Sequence, residues 1–153
     1  MTSERRGLLA AGLAAVLVPA GVRPVLASTA APLAVVWKSP TCGCCAKWVE
    51  HMEANGFKVA VRDQGNTAAR KKAGIPLALG SCHTALVGGY AIEGHVPAAD
   101  VRRLLKEKPD AIGLAVPGMP IGSPGMEQDG RRDRYDVLLV THDGKTRIFS
   151  THG

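Results

Sequence analysis

The feature that most constrains this chain is a group of three cysteines within four residues, Cys42, Cys44 and Cys45. The group follows a Val-rich apolar run, Leu33 to Trp37, which predicts a buried strand. It opens a stretch from Cys44 to Asn55 in which apolar residues recur at helical spacing. The backbone N–H groups and the dipole at a helix N-terminus favour anions, so thiolates should form readily here. Thiolates serve either disulfide exchange or the binding of a soft metal.

The remaining pattern predicts an α/β chain in the order β-α-β-α-β-β-α. This order is expected of a single thioredoxin-like domain, which carries its chemical loop between the first strand and the first helix. A long Gly/Pro/Met loop without periodicity follows, and the chain ends in a predicted β-hairpin. The predicted segments after the first helix are a strand over 57–61, a helix over 67–73, strands over 84–87 and 90–95, a helix from 97 to about 108, the loop over 111–130 and hairpin strands over 135–140 and 146–149.

A second segment with soft ligands, Ser81-Cys82-His83-Thr84, comes immediately before the third predicted strand. In a thioredoxin-like domain the loop that enters this strand lies beside the loop after the first strand. We therefore expect Cys82 and His83 to face the three clustered thiols. Metal-to-sulfur distances of about 2.3 Å require donors within roughly 4 Å of each other, so this convergence predicts a metal site.

The long loop adds two methionines, Met119 and Met126, in a segment without core periodicity. Thioethers are soft neutral donors that suit Cu(I) and are of little use to zinc. We expect these residues to cover the thiol site, and they are additional candidate ligands.

The other histidines give less specific signals. For His95, at the end of a predicted strand, a structural hydrogen bond is favoured over ligation, and His51 is expected at the surface.

The first 27 residues have the pattern of an export signal. Two arginines, Arg5 and Arg6, precede an apolar stretch from Leu8 to Ala20, and small residues lead to an exit at Ala27. Thirteen residues form a helix of about 20 Å, against about 30 Å of hydrocarbon, so we expect a removed signal and no stable membrane span. Both the general secretory route and the twin-arginine route are compatible with the two arginines. The mature domain is then predicted over 28–153.

Composition and charge exclude several classes of protein. With 46% hydrophobic and 21% charged residues, the chain has the composition of a globular domain rather than a disordered segment. Lys and Arg number 19 against 13 Asp and Glu, but the basic residues are scattered, and the aromatic residues are two each of Trp, Tyr and Phe. A nucleic-acid partner is therefore not expected.

Four ordered segments resemble the CopG-type family of copper resistance proteins, much of which is catalogued as a domain of unknown function. The likeness runs from about Ala34 to Phe149, and its segments are Lys38 to Cys45, Ser81 to Thr84, Glu93 to Ala98 and Val116 to Met126. The resemblance implies a periplasmic, thioredoxin-like protein that handles copper, with copper ions and other periplasmic copper-handling proteins as partners and with a redox role. It implies that copper is held by a CxCC…CH set, here Cys42, Cys44, Cys45, Cys82 and His83.

Three functions remain open on the residues themselves. The leading hypothesis is a periplasmic copper-binding protein that cycles Cu(I) and Cu(II), because the donors are soft and a bound ion would protect exposed thiols in an oxidising compartment. The second is a thiol-disulfide oxidoreductase that uses Cys42 and Cys45, although Cys44 would intercept its mixed disulfide. The third is a structural Cys₃His zinc site, which leaves the methionines idle. A copper-dependent oxidoreductase is one form of the first hypothesis, and no catalytic residue is assigned.

Overall fold

The computed structural model describes residues 30–153, so the predicted export signal over 1–27 lies outside the described residues. In chain order the elements are β1 (Leu33–Lys38), α1 (Gly43–Ala54), β2 (Lys58–Asp63), α2 (Thr67–Ala73), a 3₁₀ turn (Leu77–Leu79), β3 (His83–Val87), β4 (Tyr90–Glu93), α3 (Ala98–Glu107), β5 (Gly113–Ala115), β6 (Tyr135–Val140) and β7 (Thr146–His152). None of the helices in this range is long and apolar enough to cross a membrane.

The predicted mixed α/β fold is confirmed, including the order β-α-β-α-β-β-α through α3 and the C-terminal hairpin of β6 and β7. The narrower thioredoxin-like assignment stays a prediction. One strand is absent from the sequence prediction: β5 lies inside the segment 111–130, which we expected to be a loop throughout. Three residues are too few to show a period of two, and this strand exists because β4 and β6 supply its hydrogen-bonding partners on either side.

A single sheet, ordered β2-β1-β3-β4-β5-β6-β7, brings four chain segments to one end of its strands. β1 and β3 are antiparallel, with Lys38 opposite His83, so the end of β1 lies beside the start of β3. β3 and β4 are also antiparallel, and Thr84 lies opposite Glu93. β5 runs parallel to β4, with Ala115 opposite Glu93. The segments that follow β1, β4 and β5 therefore meet the segment that precedes β3.

Two apolar clusters hold this arrangement together. The larger joins α1 and α3 to the sheet, and it contains fully buried Trp48 and Met52 of α1 and Val101 and Leu104 of α3. Met52 is thus a core residue, as its helical spacing predicted. The smaller cluster contains Ile75, Ala91, Ala115 and Val140. Burying each large apolar side chain contributes about 1.5–3 kcal/mol, so these clusters hold the strand ends in place.

Candidate metal centre

The first thiol segment lies where β1 gives way to α1. Cys42 is the N-cap of α1, and its carbonyl oxygen accepts the N–H of Ala46 at 3.2 Å in the first helical turn. Cys42 and Cys45, which sequence reasoning paired as a C-x-x-C couple, are joined in a disulfide. Cys44 is a free cysteine, and its Sγ lies 3.5 Å from the Sγ of Cys42. The helix start therefore presents one disulfide with one thiol beside it.

The fourth sulfur reaches this group from the segment before β3. The Sγ of Cys82 lies 3.8 Å from the Sγ of Cys44, although the two residues are 38 positions apart. The Sγ of Cys45 lies 3.6 Å from the carbonyl oxygen of Cys82. All four Sγ atoms, including that of Cys42, lie within 4.8 Å of one another. The expected convergence of the two thiol segments is present, and the role of these atoms as metal ligands stays a prediction.

Two imidazoles border the sulfur cluster on the side of Cys82. The Nδ1 atom of His83 lies 3.5 Å from the Sγ of Cys82, and the Nε2 atom of His95 lies 3.1 Å from it. The Nδ1 atom of His95 lies 2.8 Å from the carbonyl oxygen of Pro124. A carbonyl only accepts, so we assign the proton of His95 to Nδ1, which leaves the Nε2 lone pair facing the sulfur. Cys82, His83 and His95 thus form a second group of ligand atoms within 4.8 Å.

His95 is the residue whose place at this centre sequence reasoning missed. The expected structural hydrogen bond exists, through Nδ1, but it also aims Nε2 at Cys82. A hydrogen bond at one imidazole nitrogen that orients the other toward a metal is a common arrangement in metal sites. The signal in the sequence was the position of His95 two residues after the end of β4. That position could be interpreted only with the register that places the end of β4 beside the start of β3.

His83 is fully buried, and its ring packs 4.4 Å from the ring of Trp48 and 5.0 Å from the ring of His95. Its Nε2 atom is buried without a hydrogen-bond partner among the described residues. Burial, together with the neighbouring His95, lowers the pKa of His83 to about 3, so the imidazole is neutral. Buried polar atoms are normally partnered, and neutral imidazole is a common metal ligand. The Nδ1 nitrogen, which lies against Cys82, and the sulfur cluster fit a soft metal ion.

Protons compete with any ion at this centre. Burial raises the pKa of Cys82 to about 12, and the adjacent Cys44 adds to the effect. Burial also lowers the pKa of His95. Cys82 is therefore a neutral thiol at pH 7 in the metal-free protein, and a cation that binds it must displace its proton.

The long loop after β5 lies against both thiol segments. The carbonyl oxygen of Gly118 accepts a hydrogen bond from Ser81 Oγ at 2.7 Å, next to Cys82. Gly125, with φ of +86°, approaches α1 so closely that a Cβ atom would stand 2.6 Å from the carbonyl oxygen of Cys44. Only glycine fits this approach. The loop is thus packed over the start of α1 rather than extended away from it.

The two candidate methionines differ in exposure. Met119 is 52% exposed, whereas Met126 is partly buried one residue beyond the contact of Gly125 with α1. Their coordination of a metal stays a prediction.

His51, which we expected at the surface, is half-buried instead. Its Nε2 atom accepts the backbone N–H of Ala98 at 3.0 Å.

Comparison with known proteins identifies relatives of this chain. The family described as a protein of unknown function, DUF411, matches residues 79–126. A solved structure named copper resistance protein CopG, form 2, is 43% identical; the match covers 80% of this chain and 99% of that chain, with a TM-score of 0.76. Form 1 of that protein is 44% identical and covers 78% of this chain and 96% of that chain, with a TM-score of 0.74. The curated proteins contain no match. Since the identity extends over nearly the whole of both solved chains, this chain belongs to the CopG family of copper resistance proteins.

Proposed function

We propose that this protein is an exported copper-binding protein that holds one or more copper ions at the cluster of Cys42, Cys44, Cys45, Cys82 and His83, with His95 as a further ligand. The observation that carries the proposal is the meeting of four sulfurs within 4.8 Å. Cys44 and Cys82 are free thiols, and reduction of the Cys42–Cys45 disulfide would add two more. Thiolate and imidazole are the donors that copper prefers in proteins. The Nδ1 atom of His83, 3.5 Å from the Sγ of Cys82, supports the same assignment.

The choice of copper rests on the donors and on the relatives. With the Cys42–Cys45 disulfide reduced, the cluster would offer four thiols, one more than a closed Cys₃His zinc site uses, and it adds a second imidazole, that of His95. The two solved CopG structures are named as copper resistance proteins. Met119 and Met126 are the remaining candidate donors, and a thioether ligand would favour Cu(I) over zinc.

Redox cycling forms part of the proposal. The chain has two free thiols, Cys44 and Cys82, beside the Cys42–Cys45 disulfide. Reduction of that disulfide by an external two-electron donor, with uptake of two protons, would produce two further thiols at the same place. The oxidation state of the pair would thus change the number of thiolates available to copper, and with it the preference of the site for Cu(I) or Cu(II).

An exported location follows from the same proposal. Free thiols are at risk in an oxidising compartment, and a bound ion would protect them. The basic and apolar pattern of residues 1–27 supports export to the periplasm. Cell fractionation of the full-length protein tests this part: we expect the processed form in the periplasmic fraction, and an unprocessed form confined to the cytoplasm would contradict it.

The central test is competition for Cu(I) between the reduced protein, handled without oxygen, and a strong Cu(I) chelator. We expect the wild-type chain to take copper from the chelator, and we expect Cys44→Ser to weaken the binding by about tenfold or more. His142→Ala is the control, since His142 is an exposed histidine outside the cluster and should bind as the wild type does. Equal binding by Cys44→Ser and wild type would reject the proposed cluster.

The disulfide itself favours a second function, thiol-disulfide exchange by Cys42 and Cys45. In that case Cys42→Ser would abolish the reduction of a disulfide substrate, while Cys44→Ser would leave both that activity and the metal content unchanged. Metal analysis of protein isolated from the periplasm separates the remaining alternative, because a structural zinc site predicts zinc rather than copper. Stoichiometric zinc would overturn the copper assignment.

A further inference from the structure

We propose that Glu93 and Arg70 are positioning residues that hold the backbone of Ser81 and thereby set the place of Cys82 in the sulfur cluster. The inference rests on the proposed function in one respect only, the consequence for copper. Its structural content can be tested in the metal-free protein: the buried Glu93 and the partly buried Arg70 hold the residue before Cys82.

Glu93 is a fully buried carboxylate at the end of β4. Its Oε1 atom accepts the backbone N–H of Ser81 at 2.7 Å and the Nε–H of Arg70 at 2.8 Å. Its Oε2 atom accepts the hydroxyl of Thr84 at 2.6 Å. Both oxygens are therefore occupied, and one of them holds the peptide that leads into Cys82.

The carbonyl oxygen of Ser81 is held as well. It accepts a hydrogen bond from the guanidinium of Arg70 and another from Asn66 Nδ2 at 3.1 Å. Asn66 also lies 3.2 Å from Thr84 Oγ1, which belongs to the same network. Both backbone polar groups of Ser81 are thus bound by side chains. Two elements supply those side chains: β4 carries Glu93, and α2 carries Arg70 and has Asn66 as its N-cap.

Stability alone does not explain this network. Bringing a carboxylate and a guanidinium out of water costs about as much as their attraction returns, and apolar residues of similar size often serve stability as well. Burial raises the pKa of Glu93, while the hydrogen bonds from Thr84, Ser81 and Arg70 act in the opposite direction. A satisfied buried network does define one conformation strongly. The residue whose conformation it defines is the one before Cys82.

The position of Ser81 matters because Cys82 has close neighbours on two sides. Its Sγ lies 3.8 Å from Cys44 Sγ and 3.1 Å from His95 Nε2. A shift of about 1 Å in the backbone before Cys82 would spoil both distances, since metal sites require donors placed within a fraction of an ångström. Outer residues that orient ligands typically affect metal affinity by about 10- to 100-fold.

The test compares Glu93→Gln with Glu107→Gln. The control removes a carboxylate from an exposed ion pair with Arg103 on α3 and should leave every readout unchanged. In the metal-free protein we expect Glu93→Gln to speed hydrogen exchange at the Ser81 amide by about tenfold or more, with the amides of β6 and β7 unaffected. In the reduced protein we expect about a tenfold loss of Cu(I) affinity. A merely structural role would instead raise exchange throughout the sheet and leave the affinity of the folded fraction unchanged.

A milder variant covers the case in which Glu93→Gln fails to fold. Asn66→Ala removes one donor to the Ser81 carbonyl from a partly exposed position, and we expect smaller changes in the same two readouts. Wild-type exchange at Ser81 in the folded variants would overturn the inference, whether or not copper binds. A wild-type chain that fails to bind Cu(I) would reject the proposed function instead. The exchange data would still test whether Glu93 and Arg70 hold the backbone of Ser81.

Discussion

At the scale of single residues, the centre is a place where polar side chains are fully buried. His83, Thr84, Glu93 and His95 are all inaccessible to solvent. Polar burial is costly unless a partner is present, and each of these four side chains has at least one partner within the chain. One ring nitrogen, Nε2 of His83, lacks a partner among the described residues. The residue without a full set of partners is therefore also a predicted ligand.

Gly94 controls how closely β4 approaches the segment before Cys82. Its φ is +74°, and a Cβ atom there would stand 2.6 Å from both Ser81 Oγ and Val116 O. We expect Gly94→Ala to lower the free energy of unfolding by about 2–3 kcal/mol, because the new methyl group adds a clash to an unfavourable backbone angle. Urea denaturation measures this change.

Gly43 provides the matched control for Gly94. It lies at the first position of α1, and a Cβ atom there would have nothing within 4 Å. Gly43→Ala should leave the stability unchanged or raise it by as much as about 1 kcal/mol, since alanine is the better helix former. Equal losses in the two variants would contradict the steric explanation.

At the scale of elements, α1 and the segment after β4 are fastened together next to the site. The indole Nε1–H of Trp48 in α1 donates to the carbonyl oxygen of Val96 at 2.9 Å, one residue after His95. Trp48 also packs against the ring of His83. The helix that carries Cys44 and Cys45 is thus tied to both segments that carry imidazoles, so the donors are held by packed elements rather than by free loops.

The packing of α3 closes the same core, and Leu104 is its largest fully buried side chain. We expect Leu104→Ala to lower the free energy of unfolding by about 3 kcal/mol, through lost apolar burial and the cavity that it leaves. Lys106→Ala, on the exposed side of α3, should change stability by less than about 0.5 kcal/mol. Thermal and urea unfolding of both variants tests this, and similar losses would contradict the assignment of the buried face.

At the scale of the whole molecule, the sheet extends beyond the site through β6 and β7. The phenol of Tyr135 in β6 is a probe of the folded state at this end of the sheet. Its ring stacks on His152 at 5.3 Å. Burial raises the pKa of Tyr135 to about 12, with Asp100 and Glu127 adding to the effect. The folded state therefore keeps the phenol proton at pH values where the unfolded chain, with a pKa of about 10, releases it.

The free energy of unfolding should consequently fall as the pH rises from about 10 to 12, because the folded state binds more protons in this range. Tyr135 is only partly buried, so screening by solvent reduces the expected loss to about 1 kcal/mol. Titration of phenolate absorbance in Tyr90→Phe isolates Tyr135, and we expect its midpoint near pH 12 when folded. A midpoint near 10 in the folded protein would contradict the prediction, and Tyr135→Phe should remove the signal.

The arrangement of elements was largely predictable, and the exceptions have one cause. Helical spacing of apolar residues predicted α1 and α3, and the polar run over 67–73 closed by Gly74 predicted α2. Apolar runs and alternation predicted six of the seven strands. These signals are local, since a period of two or 3.6 appears within a few residues. β5 was missed because its three residues carry no period, and only pairing with β4 and β6 makes it a strand.

The order of residues establishes the kinds of donor and their local context: three cysteines at a helix start, a Cys-His pair before a strand, and two methionines in a glycine-rich loop. Only folding brings His95 to face Cys82 and places Glu93 and Arg70 in hydrogen bonds with the backbone of Ser81. Residue type and spacing act along the chain, whereas these contacts depend on strand register and on packing across the sheet, which involve the whole core at once.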